Sequence, residues 1–247
     1  MTSWQFAASD PVDLRVRIPA GRITVTAARA QAAAVTLSPE HPGGRGEKLV
    51  AATRVEFDQG TLSVIAPERR LLNLGGWIEA AVELPEGSSC LVDTASADVS
   101  CTGELSALDV RSASGDVSAE RVTGLARIGT ASGDVEVGEA AELTVHTASG
   151  DVSAARVYGE ISVRTASGNV QIGEASGRRT DIKATSGDIS VAVTPGIRIY
   201  LDISTLSGTA SSELEPSEEG GSTDMTLVCR TISGDVQISR AAQPAAR

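Results

Sequence analysis

Acidic residues recur in this chain at a spacing that invites a chemical reading. Asp98, Asp116, Asp134, Asp151, Asn169, Asp188 and Asp235 each follow a Ser-Gly or Ser-Ala pair, and only Thr209 breaks the series. If these side chains stack, their charges repel. A hard cation such as Ca²⁺, which takes oxygen ligands, would relieve that repulsion. Asp98, Asp116, Asp134, Asp151 and Asp188 are therefore candidates for a cation ladder. The alternative is local: Asp after Gly in a tight turn bonds its own backbone and tolerates unusual dihedral angles. The repeat also lacks the Gly-Gly-x-Gly-x-Asp nonapeptide of calcium-binding β-rolls. Paired carboxylates are the equipment of glycoside hydrolysis as well. Sites of that kind use aromatic sugar platforms, and Trp, Tyr and Phe number two each here.

The other reactive side chains are sparse. His41 sits among Pro and Gly, and His146 belongs to a polar column with Arg111, Arg164, Lys183 and Arg230. Pairing between that column and the Asp column would be a surface matter of ~0–1 kcal/mol per pair. Cys90, Cys101 and Cys229 are odd in number and form no Cys-x-x-Cys, so they offer neither a disulfide framework nor a zinc pattern. There is no nucleophile elbow, P-loop, dinucleotide fingerprint or metal box. The expectation is a non-enzymatic protein with no catalytic residue and no cofactor.

The elements that position these side chains emerge from the repeat itself. Ser-Ala-Ser-Gly-Asp-Val (112–117) and Thr-Ala-Ser-Gly-Asp-Val (130–135 and 147–152) recur almost unchanged. With the Gly as position zero, the zeros are Ala97, Gly115, Gly133, Gly150, Gly168, Gly187, Gly208 and Gly234. Their period is close to 18. Positions −7, −5, +2 and +4 are almost uniformly Val, Ile, Leu, Ala or Cys, and the positions between them are polar. Each repeat is thus a strand, a tight turn at Ser-Gly-Asp and a second strand, with β-branched residues pointing inward. Two short strands cannot bury an apolar face alone, whereas stacked copies can. The expected fold is all-β: a parallel β-solenoid of ~18-residue two-strand coils about 4.8 Å apart, right-handed by the general crossover rule. Cys90 (−7) and Cys101 (+4) should face each other across the core. Sheets ~10 Å apart would keep them unbridged.

The N-terminal part fits the same template. Gly21 as zero places Leu14, Val16, Ile23 and Val25 in the apolar columns, and Gly60 as zero places Val55, Leu62 and Val64 there. Val55–Val64 reads either as a hairpin or as the two arms of one coil. Residues 38–47 and 68–76 read as loops, residues 77–84 as a strand, and the acidic stretch 211–224 as a solvated insertion. The expected organisation is residues 1–88 as degenerate coils forming a cap, 89–240 as the solenoid and 241–247 as a tail.

The net charge of −11 disfavours nucleic-acid partners and docking on anionic lipid. Residues 1–6 lack a basic region followed by an apolar run, and no window approaches the ~18 apolar residues of a membrane span. The expected location is cytoplasmic, with no direct membrane insertion.

On these motifs, the recurring Thr-Ala-Ser-Gly-Asp-Val and Arg-Thr-Ala-Ser-Gly-Asn-Val, the chain resembles the bacterial β-strand-repeat domain of unknown function labelled "putative adhesin". The similarity covers residues 12–240. The resemblance implies a β-solenoid-like fold and brings no catalytic residue with it. The expected function is a scaffold or interaction module for a protein or glycan partner. An adhesin-like or glycan-binding surface module and a carbohydrate-active β-helix are the alternatives. The open ends of a solenoid also offer edges for homo-oligomerisation.

Overall fold

The computed structural model describes residues 1–41, 44–67, 76–214 and 224–242. The chain divides into two compact units, residues 1–133 and 134–247. Both are all-β apart from one short helix.

In the first unit the elements are β1 (Thr2–Ala7), β2 (Asp13–Ala28), β3 (Ala32–Pro39), α1 (Arg45–Ala52), β4 (Arg54–Asp58), β5 (Thr61–Ile65) and β6 (Ile78–Pro85). They are followed by β7 (Ser89–Leu105), β8 (Ala107–Ser114) and β9 (Val117–Ser132). Strands β2 and β7 each run through both arms of a coil. They pair in parallel from Asp13↔Ser89 to Ala27↔Gly103, with Gly21 opposite Ala97. That register places Gly21 at the zero position. Strand β7 pairs onward with β8 (Cys90↔Leu108) and β9 (Val99↔Val117). The apolar columns form the core: Leu14, Val16, Ile23, Val25, Val92, Val99 and Val110 are all at most 2% exposed.

The second coil differs from the template in a way that column periodicity cannot show. Leu62 pairs with Leu14 and Val64 with Val16, so they occupy −7 and −5, not the +2 and +4 that a zero at Gly60 requires. The other arm of this coil is β6, in which Ile78 stands opposite Gly21 and Ala80 opposite Ile23. Gly60 instead turns a hairpin, since β4 and β5 are antiparallel from Asp58↔Thr61 to Arg54↔Ile65. This coil therefore lies on one flank of β2, and β7 lies on the other.

Antiparallel strands finish that flank. Strand β3 pairs with β6, and β1 with β3. The rings of Phe6 and Phe57 stack with centroids 5.4 Å apart. The region read as a loop at 38–47 contains the start of α1, which buries Leu49 and Val50. Its Glu, Lys, Leu and Ala residues favour helix once they are clear of the preceding prolines. Strand β1 has no counterpart in the repeat template. Most of the expected 68–76 loop falls outside the described residues.

The second unit contains β10 (Val135–Ser149), β11 (Val152–Val157), β12 (Ile161–Ser167), β13 (Val170–Ala175), β14 (Arg179–Ser186) and β15 (Ile189–Val193). It ends with β16 (Ile199–Ser207), β17 (Ala210–Ser212), β18 (Met225–Ser233) and β19 (Val236–Arg240). Parallel pairing runs β10–β11–β13–β15 along one arm and β10–β12–β14 along the other. The order then changes. Strands β14 and β15 pair with β18 and β19, not with β16 and β17. The coil of β16 and β17 lies outside the last coil in sequence. The expectation that each strand pairs with its equivalent one coil later fails here, and it fails also around β2. Ser211 and Ser212, read as part of an insertion, belong to β17. Residues 215–223 and 243–247 fall outside the described set.

A candidate glycan groove beside a structural Asp ladder

The Asp column is a hydrogen-bonded ladder between coils. Asp98 Oδ1 accepts the backbone N–H of Asp116 at 3.2 Å. In the second unit, Asp134 accepts from Asp151 (2.9 Å), Asp151 from Asn169 (2.7 Å) and Asn169 from Asp188 (3.0 Å). Asp188 then accepts from Asp235 (2.8 Å), and Asp235 from Thr209 (2.7 Å). The recipient is the next coil's backbone, not the residue's own as a simple turn reading expects. Stack order also explains Thr209: it lies on the outermost coil, with no described coil beyond it to receive an acceptor. Among the described residues no group of three His, Cys, Asp or Glu side chains is arranged to hold a metal ion.

The residue three before zero adds a bond that the sequence did not reveal. Thr130, Thr147 and Thr165 are buried, and each donates its hydroxyl to the carbonyl two residues on, at 3.0, 3.0 and 3.1 Å. Ser112 and Thr231 do the same. The signal was present as a Thr/Ser column, but a hydroxyl beside apolar columns reads as strand surface.

The basic column is paired differently from expectation. Arg111 faces Asp109 and Lys183 faces Asp181, two residues earlier on the same strand, and Arg230 bonds Asp202 of the neighbouring coil at 2.6 Å. Side chains two apart share a strand face, whereas the Asp column lies beyond the corner. His146 stands in register with Arg164 on the exposed face.

Cys90, Cys101 and Cys229 are free and buried, as expected. Hydrogen bonding with the Cys101 side chain, followed by burial, raises the Cys90 pKa well above the ordinary thiol value. Burial, then the Asp181 carboxylate, pushes Cys229 up to about 12.

One concavity in the second unit combines polar walls with a small-residue floor. It measures about 640 Å³ and lies on the outer face of the β10–β11–β13 arm. Glu136, Ser153 and Gln171 stand in one register row. The row beside it is Gly138, Ala155 and Gly173, which gives a floor of small residues, and Ala241 and Ala242, after β19, also line the concavity. Arg156 and Glu174 line the far side. Arg156 forms an ion pair with Glu139, and Glu139 also accepts the Tyr158 hydroxyl at 3.5 Å. Tyr158, 53% exposed, is thereby linked through Glu139 to Arg156 of the wall, and its ring is not among the residues that line the groove. A register shift between Ile172 and Ala175 places an extra residue in β13 opposite β15. Bulges of this kind bend a strand and re-aim its side chains, and they are frequent beside functional sites. The Glu174 carboxylate accepts the Thr194 hydroxyl at 3.0 Å. None of these groups was singled out from sequence, because each lies between the apolar columns and no spacing rule joins them.

A family model described as Toastrack DUF4097 matches residues 13–245. The chain belongs to that family. No curated protein matches it. Among solved structures, it is similar to a "putative adhesin" from Bacteroides fragilis (14% identity, 96% of each chain covered, TM-score 0.51). It is also similar to a "putative adhesin" from Parabacteroides merdae (11% identity, 96% of this chain and 95% of that one, TM-score 0.38). A third is a "putative lipid binding protein" from Parabacteroides distasonis (14% identity, 96% of each chain, TM-score 0.37). At these identities the likeness concerns the all-β, solenoid-like Toastrack fold. Among the described residues, no helix is long and apolar enough to cross a membrane.

Proposed function

We propose that this chain is a non-enzymatic β-solenoid interaction module, and that the groove of the second unit seats a neutral glycan chain. The observation that carries the reading is the grouping of Arg156, Glu136, Gln171 and Glu174 around a floor of Gly138, Ala155 and Gly173, with the exposed Tyr158 ring reached through Glu139, the ion-pair partner of Arg156. A ring offers a face for a sugar's C–H surface, and the side chains around it donate to and accept from hydroxyls. Among the described lining residues Glu136 and Glu174 outnumber the cation Arg156, so an acidic polysaccharide would be repelled. The printed name of the similar Bacteroides fragilis structure, "putative adhesin", points to binding in general and not to a glycan. The repeated Asp side chains that first suggested chemistry are engaged in holding coils together, and the buried Thr column holds the corners. A right-handed crossover between coils belongs to this reading as well.

Affinity electrophoresis and a glycan panel test it. The expected result is retention on a neutral polysaccharide without cleavage, weakened at least tenfold by Tyr158→Ala or Arg156→Ala with the melting temperature maintained. No retention by any glycan would sink the reading. Cleavage lost in Glu136→Gln or Glu174→Gln would replace it with a carbohydrate-active enzyme. Fractionation of the source cells separates an internal scaffold from a surface module.

A further inference from the structure

The coil of β16 and β17 has a described neighbour on one side only. Its inward row, Ile199, Leu201, Ile203 and Thr205, stays half-exposed, whereas the row of β18 behind it, Met225, Leu227 and Cys229, is buried. Tyr200 is 60% exposed, Leu206 85% and Ile232 53%. The first unit closes its outer coil differently, with antiparallel β3 and β4. An uncovered edge strand presents unpaired N–H and C=O groups and so templates a further strand.

We propose that the partner for this edge is a second copy of the same chain, with β16 pairing antiparallel to its counterpart about a twofold axis through Ile203. The residue pattern is self-complementary in that register. Ile203 meets its own copy, Leu201 meets Thr205 and Ile199 meets Ser207, which continues the core row. On the outer face Tyr200 meets Leu206, so the two most exposed apolar residues of the strand cover one another. Asp202 meets Ser204, which opposes no like charges, and Arg230 already holds Asp202. An isologous contact of this kind closes at two copies and does not extend into a fibre. It lies on β16, apart from the glycan groove, and does not depend on it.

Analytical ultracentrifugation of the intact protein tests the proposal. The expected species is a dimer that dissociates on dilution and becomes monomeric in Leu206→Lys. That side chain is largely exposed in the isolated coil, so the fold is not at risk. Ile203→Cys in a Cys229→Ala background gives a second readout, since Cys229 stands beside residue 203 on β18 and would otherwise compete for the bridge: in this register the two introduced cysteines are directly opposed. Cα atoms in such a pair lie about 4.5–5.5 Å apart, within disulfide range, so mild oxidation yields a covalent dimer. A sedimentation boundary that stays monomeric at every loading concentration would overturn the proposal. If the β16 amides are then protected from hydrogen exchange, the chain's own 215–223 segment covers the edge. A dimer indifferent to Leu206→Lys that gives no Ile203→Cys cross-link would place the contact elsewhere.

Discussion

Asp151 Oδ1 accepts the backbone N–H of Asn169 at 2.7 Å, and Asn169 passes the same bond to Asp188 through its amide oxygen at 3.0 Å. A neutral amide therefore serves as well as a carboxylate at this rung. Asp151→Asn is expected to change stability by no more than a few tenths of a kcal/mol. Asp151→Ala leaves the Asn169 N–H to water. It is expected to cost about 0.5–1.5 kcal/mol, the range of an ordinary net hydrogen bond, because the site is exposed. Urea unfolding of the two variants measures the difference. Equal losses would mean that charge, not the bond, is what the column contributes.

Gly168 sits at φ +135°, and a Cβ there would come within 2.1 Å of the Gly150 carbonyl oxygen. Gly60 also has positive φ (+79°), yet nothing lies within 4 Å of its Cβ position. The pair separates backbone strain from close approach of coils. Gly60→Ala is expected to cost about 1–2 kcal/mol from the left-handed conformation alone. Gly168→Ala adds overpacking to strain, about 2–6 kcal/mol together, and forces the coils apart. Chemical denaturation of both variants checks the ranking.

These two residues also mark what the sequence made legible. The register was readable because every coil repeats the same columns, and Gly21 opposite Ala97 followed from them. Coil order was not, and for the same reason. The β18 and β19 coil presents the same columns as the β16 and β17 coil, so periodicity cannot say which lies against β14 and β15. Leu62 and Val64 were assigned to the wrong arm because −7/−5 and +2/+4 carry the same residue types. The groove was illegible because its residues lie between the columns and meet only when coils stack.

Cys229 holds its proton in the fold to about pH 12, whereas an unfolded thiol titrates near 8.5. Its contribution to stability is fully present below the unfolded value. It falls as pH rises from there toward about 12, because the unfolded chain then binds fewer protons. The slope for one thiol is about 1.4 kcal/mol per pH unit. Cys90 shifts in the same direction and steepens the loss. Urea midpoints measured between pH 8 and 11 should fall, and Cys229→Ala should flatten the curve by one thiol's slope. An unchanged slope would show that Cys229 reaches solvent in the folded state.

Thr180 occupies a −7 position between Ile161 and Leu227, is fully buried, and its Oγ1 has no hydrogen-bond partner. Thr147 is buried too, but its hydroxyl reaches the Ser149 carbonyl. The same substitution should therefore act with opposite signs. Thr147→Val removes a bond and leaves a carbonyl to fend for itself at the corner, a loss of about 1 kcal/mol. Thr180→Val keeps the side chain's shape and removes a hydroxyl whose desolvation nothing offsets, a gain of about 1–3 kcal/mol. Thermal and urea unfolding of the two variants decide the matter. A loss at both positions would mean that an ordered water meets the Thr180 hydroxyl in solution.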